Sequence, residues 1–172
     1  MQEMTMNPRT RKLPYIAMVL TCLFSLGQAA LAEGNNHSVK ATLVDVCTGG
    51  PTCTGRVTQG GILNGTSVTV FSPGLAPTLD PNTVSFSFDW TVTTVQGQLR
   101  VRFVNLFNVV TGVTTAMGTI DPNNSTGRFA GATGVLFMNG KVISNSPFTV
   151  KLDVTGEINL NKDRRDSNED GQ

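Results

Sequence analysis

Few residues of this 172-residue chain could carry out acid–base or nucleophilic chemistry. His37 is the only histidine, and it lies in a polar Asn-Asn-His-Ser stretch. A Ser-His-Asp or Cys-His mechanism therefore has no credible general base. A zinc site would need two ligands beyond Cys47 and Cys53, so no metal site is predicted. No cofactor is expected, because neither Gly49-Gly50 nor Gly60-Gly61 lies between a strand and a helix, as a phosphate-binding loop requires.

The charged residues that could act together are Asp89, Asp153, Arg100 and Arg102, all in segments where polar and apolar residues alternate. A solvated carboxylate is the simplest interpretation of each acid. If the polar faces instead point into the fold, these side chains line an interior, and alternation alone does not say which face is inside. No catalytic residue is therefore assigned.

Cys47 and Cys53 are separated by Thr-Gly-Gly-Pro-Thr, a segment that turns easily. We predict a local disulfide formed in an oxidising compartment. So small a loop removes little chain entropy, about 2 kcal/mol by the loop model, so the disulfide is expected to hold one loop rather than the whole fold.

Apolar residues at every second position indicate that strands position these groups, and no segment has helical periodicity. The clearest strand runs over residues 148–160, and residues 84–92 and 99–103 are expected to form a hairpin about Gln96-Gly97-Gln98. Asn64-Gly65, after a short strand 61–63, and Asn139-Gly140 are predicted to be tight hairpin turns. Further strands are expected over residues 39–46, 67–71, 113–120, 135–138 and 142–143. The tally of seven or eight strands predicts an all-β fold, a single antiparallel β-barrel or, alternatively, a β-sandwich.

Residues 1–32 have the layout of an export signal. Arg9, Arg11 and Lys12 precede an uncharged stretch over residues 13–32, and cleavage is expected after Ala32. A retained transmembrane span or lipidation at Cys22 are the weaker alternatives. The protein is therefore expected to be periplasmic or secreted, with no integral membrane anchor after processing.

The processed chain is expected to contain a barrel domain over residues 33–160 and a disordered polar tail over residues 161–172. Removing the three basic residues and one acidic residue of the leader leaves ten basic and eleven acidic residues, a net charge of −1. That balance predicts neither a nucleic-acid partner nor an anionic-membrane footprint. Within the tail, residues 166–171 fit the first positions of a calcium loop, but the closing acid is missing, so no calcium site is assigned.

The phrase Thr-Gly-Arg-Phe-Ala-Gly-Ala-Thr-Gly over residues 126–134 resembles the signature of the allene oxide cyclase and dirigent barrel superfamily, including its exported bacterial members. The resemblance implies an eight-stranded antiparallel β-barrel. Gly127, Gly131 and Gly134 are expected to permit positive φ or close backbone approach, and Phe129 is expected to be buried as a plug. The plant enzymes use acidic groups with Tyr or Arg, yet the only tyrosine here, Tyr15, lies in the leader.

Two hypotheses of function follow. The first is a non-catalytic exported barrel that binds a small hydrophobic molecule or serves a structural or surface-interaction role. The second is a cyclase-like or dirigent-like enzyme that steers a hydrophobic intermediate. Whether the barrel binds a ligand or acts on a hydrophobic intermediate, the expected ligand-binding residues are Phe86, Phe88, Trp90 and Phe148. An open interior of about 300 Å³ with a buried carboxylate would favour the enzyme, whereas an interior filled by side chains would exclude it. The oligomeric state is not predicted.

Overall fold

The computed structural model describes residues 35–161. The predicted signal peptide, the first two residues of the predicted barrel domain and the tail from residue 162 onward lie outside these residues. Nine strands are formed: β1 (Asn35–Cys47), β2 (Thr52–Thr58), β3 (Gly65–Phe71), β4 (Ala76–Pro77), β5 (Thr83–Thr94), β6 (Gly97–Asn108), β7 (Val113–Ile120), β8 (Thr133–Asn145) and β9 (Phe148–Leu160). Two 3-10 turns, Gly61–Leu63 and Gly127–Phe129, are the helical segments of this part of the chain, and neither has the length or apolar character needed to span a bilayer.

All strands belong to one antiparallel sheet with the order β3-β2-β1-β9-β8-β7-β6-β5-β4. The sheet closes because β3 also pairs with β5, from Thr66 opposite Thr93 to Phe71 opposite Phe88. Eight strands therefore form a closed barrel, and β4 is a short extra strand that pairs with β5. Successive barrel strands are neighbours throughout, joined by short turns and by two longer connections, residues 72–82 and 121–132, and no sheet edge is left within the barrel. The all-β prediction is confirmed, and the barrel is formed rather than the sandwich.

The apolar faces of most strands point into the barrel. On β5 and β6 the inward positions include Trp90, Leu99 and Phe103, which are fully buried, and the same alternation continues through Leu136 on β8 and Val154 on β9. Burying these side chains removes apolar surface from water, the main favourable contribution to folding. The hydrophobic core is therefore the barrel interior itself.

One end of the barrel is filled. The loop between β7 and β8 folds across it, and Phe129 from that loop is fully buried. The backbone N–H of Arg128 donates to the carbonyl of Gln96 in the β5–β6 turn, at 2.9 Å. Gly127, Gly131 and Gly134 all have positive φ, of 61°, 71° and 144°. The phrase thus forms a loop with three glycines at positive φ around a buried Phe129.

Two turn predictions are wrong. Residues 61–63 form a 3-10 turn instead of a strand, and the hairpin partner of β3 is β2, which the sequence pattern did not indicate. Asn139-Gly140 lies inside β8, where Gly140 pairs with Thr114 on one side and Leu152 on the other. Pairing along two long neighbours outweighs a local turn preference. The hairpin about residues 96–98 is confirmed, with Val95 and Gln96 at the turn.

Candidate functional site

The end of the barrel opposite Phe129 contains a cavity of about 300 Å³. Five phenylalanines and several aliphatic side chains form most of its wall. The rings of Phe71 and Phe86 pack edge to face with centroids 5.5 Å apart, and Phe88 stacks at 5.1 Å on Phe103, a core residue that does not line the cavity. The aromatic and aliphatic lining residues are Phe71, Leu75, Phe86, Phe88, Phe107, Ala116, Met138, Phe148, Val150 and Leu152. The interior is thus packed at one end and open at the other.

Three of the four predicted ligand-binding residues line this cavity: Phe86, Phe88 and Phe148. Trp90 does not. It lies further along β5 toward the filled end, where it is fully buried and packs edge-on against Phe103 at 6.0 Å between centroids. The alternation that places Trp90 on the same face as Phe88 does not say how far along the barrel the cavity extends. Trp90 is consequently a core residue.

A carboxylate that was not singled out in the sequence analysis lines the cavity. Asp45 occupies an inward position of β1, following Leu43 on the same face, and is only 5% exposed. Its Oδ1 accepts a hydrogen bond from the Ser67 hydroxyl and its Oδ2 accepts one from the Thr69 hydroxyl, each at 2.6 Å. Hydrogen bonds to a carboxylate are stronger than those between neutral groups, and they offset part of the cost of burying it.

The donors for Asp45 come from a strand with inverted polarity. On β3 the inward residues include Ser67 and Thr69, while Val68 and Val70 point outward and are exposed. On β3 polar residues instead occupy inward positions, the reverse of the usual pattern in which apolar residues face the core. Here the polar residues hydrogen-bond the buried carboxylate. The sequence did contain a signal for this site: Asp45 lies on the apolar face of one predicted strand, and Ser67 and Thr69 occupy alternate positions of another.

Gly55 makes room for the carboxylate. It lies directly opposite Asp45 on β2. A Cβ atom at Gly55 would overlap the Asp45 Oδ1 and the Val44 carbonyl oxygen. Any side chain at this position would therefore displace Asp45 or the backbone of β1, so Gly55 is required for the observed position of the carboxylate.

A second polar group lies on the opposite wall, where β6 and β7 carry Asn105 and Thr114. The Thr114 hydroxyl donates to Asn105 Oδ1 at 2.6 Å, and both residues are buried and line the cavity. The N–H groups of the Asn105 amide, the second lone pair of its oxygen and the Thr114 hydroxyl oxygen are what this pair can offer to a ligand.

The charged residues considered in the sequence analysis lie on the outer wall. Arg102 forms two hydrogen bonds with Asp89, Nε to Oδ1 at 3.0 Å and a terminal nitrogen to Oδ2 at 3.2 Å, and Arg100 approaches Oδ2 at 3.5 Å. The hydrogen bond from Arg102 holds the pKa of Asp89 below its usual value. Asp153 is exposed on β9. None of these four residues lines the interior cavity.

The predicted disulfide is present. Cys47 and Cys53 lie directly opposite each other on β1 and β2, with Cα atoms 4.2 Å apart, and both line the cavity. The bond therefore fixes the two strands close to Asp45. Between residues 35 and 161, His, Cys, Asp and Glu side chains nowhere gather in a group of three that could hold a metal ion.

The chain was compared with protein-family models, with curated proteins and with solved structures, and none of them matches.

Proposed function

We propose that this protein binds a small, mostly apolar molecule in the cavity at the open end of the barrel, with a hydrogen-bond donor or cationic group of the ligand beside Asp45. The observation that carries the proposal is a buried carboxylate within an otherwise apolar, aromatic wall. Pockets that bind small molecules combine such walls with a few fixed polar groups, and volumes start at about 300 Å³.

The apolar wall supplies affinity and the carboxylate supplies orientation. Each Asp45 oxygen already accepts one hydroxyl hydrogen bond and has a further lone pair. A ligand amine or hydroxyl can donate to that lone pair, whereas a ligand carboxylate would be repelled. The ligand class is therefore a lipophilic amine or alcohol rather than a fatty acid.

The test compares nonylamine, 1-nonanol and nonanoate, which share a chain and differ in the head group. We expect titration calorimetry to give affinity in the order amine, alcohol, carboxylate. In Asp45→Asn, which keeps size and shape, the preference for the amine should fall about tenfold or more, since a charge-assisted hydrogen bond contributes about 1.5–3 kcal/mol. Tightest binding of nonanoate, or no binding of any probe, would contradict the proposal.

A second candidate is the cyclase-like or isomerase-like enzyme, and Asp45 is the specific observation that favours it. A carboxylate enclosed in an apolar cavity of about 300 Å³ is the arrangement required above for that hypothesis. Asp45 would accept a proton from a bound hydrophobic substrate, as a general base does. The test is exchange of the α-protons of 2-nonanone in D₂O, followed by NMR. Exchange no faster than in buffer, or equal exchange in Asp45→Asn, would remove this candidate.

Export and family membership are part of the same proposal. The predicted leader and the Cys47–Cys53 disulfide support export, because disulfides persist in oxidising compartments. Membership of the allene oxide cyclase and dirigent superfamily is proposed from the resemblance of residues 126–134, which implies a closed eight-stranded barrel, the fold found here. Amino-terminal sequencing of the protein purified from its natural source should begin at Glu33, and an intact Met1 would contradict export by this leader.

A further inference from the structure

The open end of the barrel is bordered by exposed apolar side chains. Leu75 and Leu79 lie in the segment between β3 and β5, Val109 and Val110 in the β6–β7 turn, and Ile143 near the end of β8. We refer to these five residues as the mouth rim. Exposed apolar residues in a contiguous group, unlike scattered single ones, mark an interaction surface.

The mouth rim is continuous with the cavity. Leu75 itself lines the cavity. The N–H of Val109 donates to the carbonyl of Asn82 at 2.8 Å, which joins the β6–β7 turn to the β3–β5 segment. The N–H of Val142 donates to the carbonyl of Gly112 at 3.0 Å, which joins that turn to β8. Leu75 therefore belongs to both the mouth rim and the cavity wall, and the two backbone hydrogen bonds place the three rim segments next to one another.

The two ends of the barrel differ in character. Asp80 is the one charged residue in the connections at the open end, residues 48–51, 72–82, 109–112 and 146–147. The Asp80 carboxylate already accepts hydrogen bonds from the Thr83 hydroxyl and the Asn82 N–H. In the connections at the filled end, Val95 is the one large apolar residue that is exposed among the described residues.

Two lysines lie on the outer wall beside the mouth rim. Lys141 on β8 is directly opposite Lys151 on β9, and both are exposed. Neither forms a salt bridge with any described residue. Like charges facing each other across strands are unfavourable unless an anion lies near. The net charge of −1 predicted for the processed chain does not reveal this local pair of positive charges. Lys141 is two residues from Ile143 along β8.

We propose that the mouth rim docks onto a lipid bilayer that carries anionic head groups, so that an apolar ligand passes between the membrane and the cavity. This inference rests on the proposed function. Uncharged apolar loop tips with lysines set back on the wall match the distribution required at a bilayer surface, where apolar side chains enter the interface and cations contact head groups. Two exposed carboxylates oppose such docking, Asp80 in the connection at this end and Asp153 on the outer face of β9, two residues from Lys151.

Vesicle flotation with the purified protein tests the docking surface. Vesicles of phosphatidylcholine mixed with phosphatidylglycerol should bind more protein than phosphatidylcholine alone. Leu79→Asp and Val110→Asp should each weaken binding about tenfold or more, because each removes a side chain that is buried on docking. Val95→Asp is the matched control, since Val95 is as exposed as Leu79 but lies at the filled end, 102% against 106%. Rim variants that bind like the native protein, or an equal loss in Val95→Asp, would overturn the docking surface.

The lysine pair has its own test. Lys141→Gln combined with Lys151→Gln should abolish the preference for phosphatidylglycerol and leave binding to phosphatidylcholine unchanged. A preference that persists in this double variant would overturn the assigned role of the pair.

Nonylamine titration in vesicle-free buffer separates this inference from the proposed function. Native protein and Val110→Asp should bind the amine equally. Amine binding without vesicle binding overturns the docking inference alone. Vesicle binding that depends on the mouth rim, without amine binding, supports docking and overturns the proposed function.

Discussion

Replacing Ala116 by leucine should stabilise the barrel, whereas the same replacement at Ala132 should destabilise it. Both alanines are buried. Ala116 lines the cavity at the open end, and Ala132 lies at the filled end, three residues after Phe129. The chemical change is identical at the two positions. The sign of the change in the free energy of unfolding therefore shows whether unfilled space lies beside each alanine.

The magnitudes follow from burial and packing. Three added carbons at Ala116 contribute up to about 2 kcal/mol at about 0.8 kcal/mol per buried methylene. The leucine also occupies part of a cavity of about 300 Å³, so the affinity for nonylamine should fall. Ala132 is fully buried in the core and does not line this cavity. Inserting extra carbons into packed interior costs about 1–3 kcal/mol.

Urea unfolding followed by the emission of Trp90, which is fully buried in the core, measures both variants. The midpoint should rise for Ala116→Leu and fall for Ala132→Leu, with little change in the slope. A destabilisation of Ala116→Leu equal to that of Ala132→Leu would refute the reasoning, because it would mean that both ends of the barrel are filled.

Three further predictions concern the site and the wall. Gly55→Ala should cost about 1–3 kcal/mol of stability by steric overlap and reduce the amine preference of the cavity, measured by urea unfolding and calorimetry; unchanged values in both assays would contradict the requirement for glycine. The pKa of Asp89 is lowered from 3.8 in the folded state by Arg102, so the unfolded chain binds more protons as the pH falls through that value, and the stability from this pair is lost below about pH 4. Asp89→Asn should show a smaller loss of stability in acid than the native protein, and an equal loss would contradict it. Replacing Cys47 and Cys53 by alanine should lower stability by about 2 kcal/mol, and a much larger loss in thermal unfolding would show that the disulfide supports more than one loop.

Much of the fold could be predicted from alternation alone. The strands over residues 113–120 and 148–160 and the hairpin at Gly97 follow from apolar residues at every second position and a turn glycine. The glycine phrase around Phe129 was predicted because positive φ at glycine is a local property. The turn at Asn139-Gly140 was not, because pairing of β8 with two long neighbours is not visible in the local sequence.

The site was only partly predictable. The alternation indicated Phe86, Phe88 and Phe148 as interior residues, but it gave no depth along the barrel, so it also included Trp90. Asp45 was missed because its two hydroxyl partners lie more than twenty residues away in sequence, on a strand that the barrel places within hydrogen-bonding distance. The contact follows from the register of β1, β2 and β3, in which Gly55 lies between Asp45 and Ser67.

The most direct test of the open cavity is NMR of ¹³C-methyl methionine during titration with nonylamine. Met138 lines the cavity, and Met117 lies on the outer wall of the adjacent strand β7, exposed to water. We predict that the Met138 methyl resonance shifts with saturation at one equivalent while the Met117 resonance stays in place. An unmoved Met138 signal, or a shift of Met117 alone, would contradict a ligand site inside the barrel.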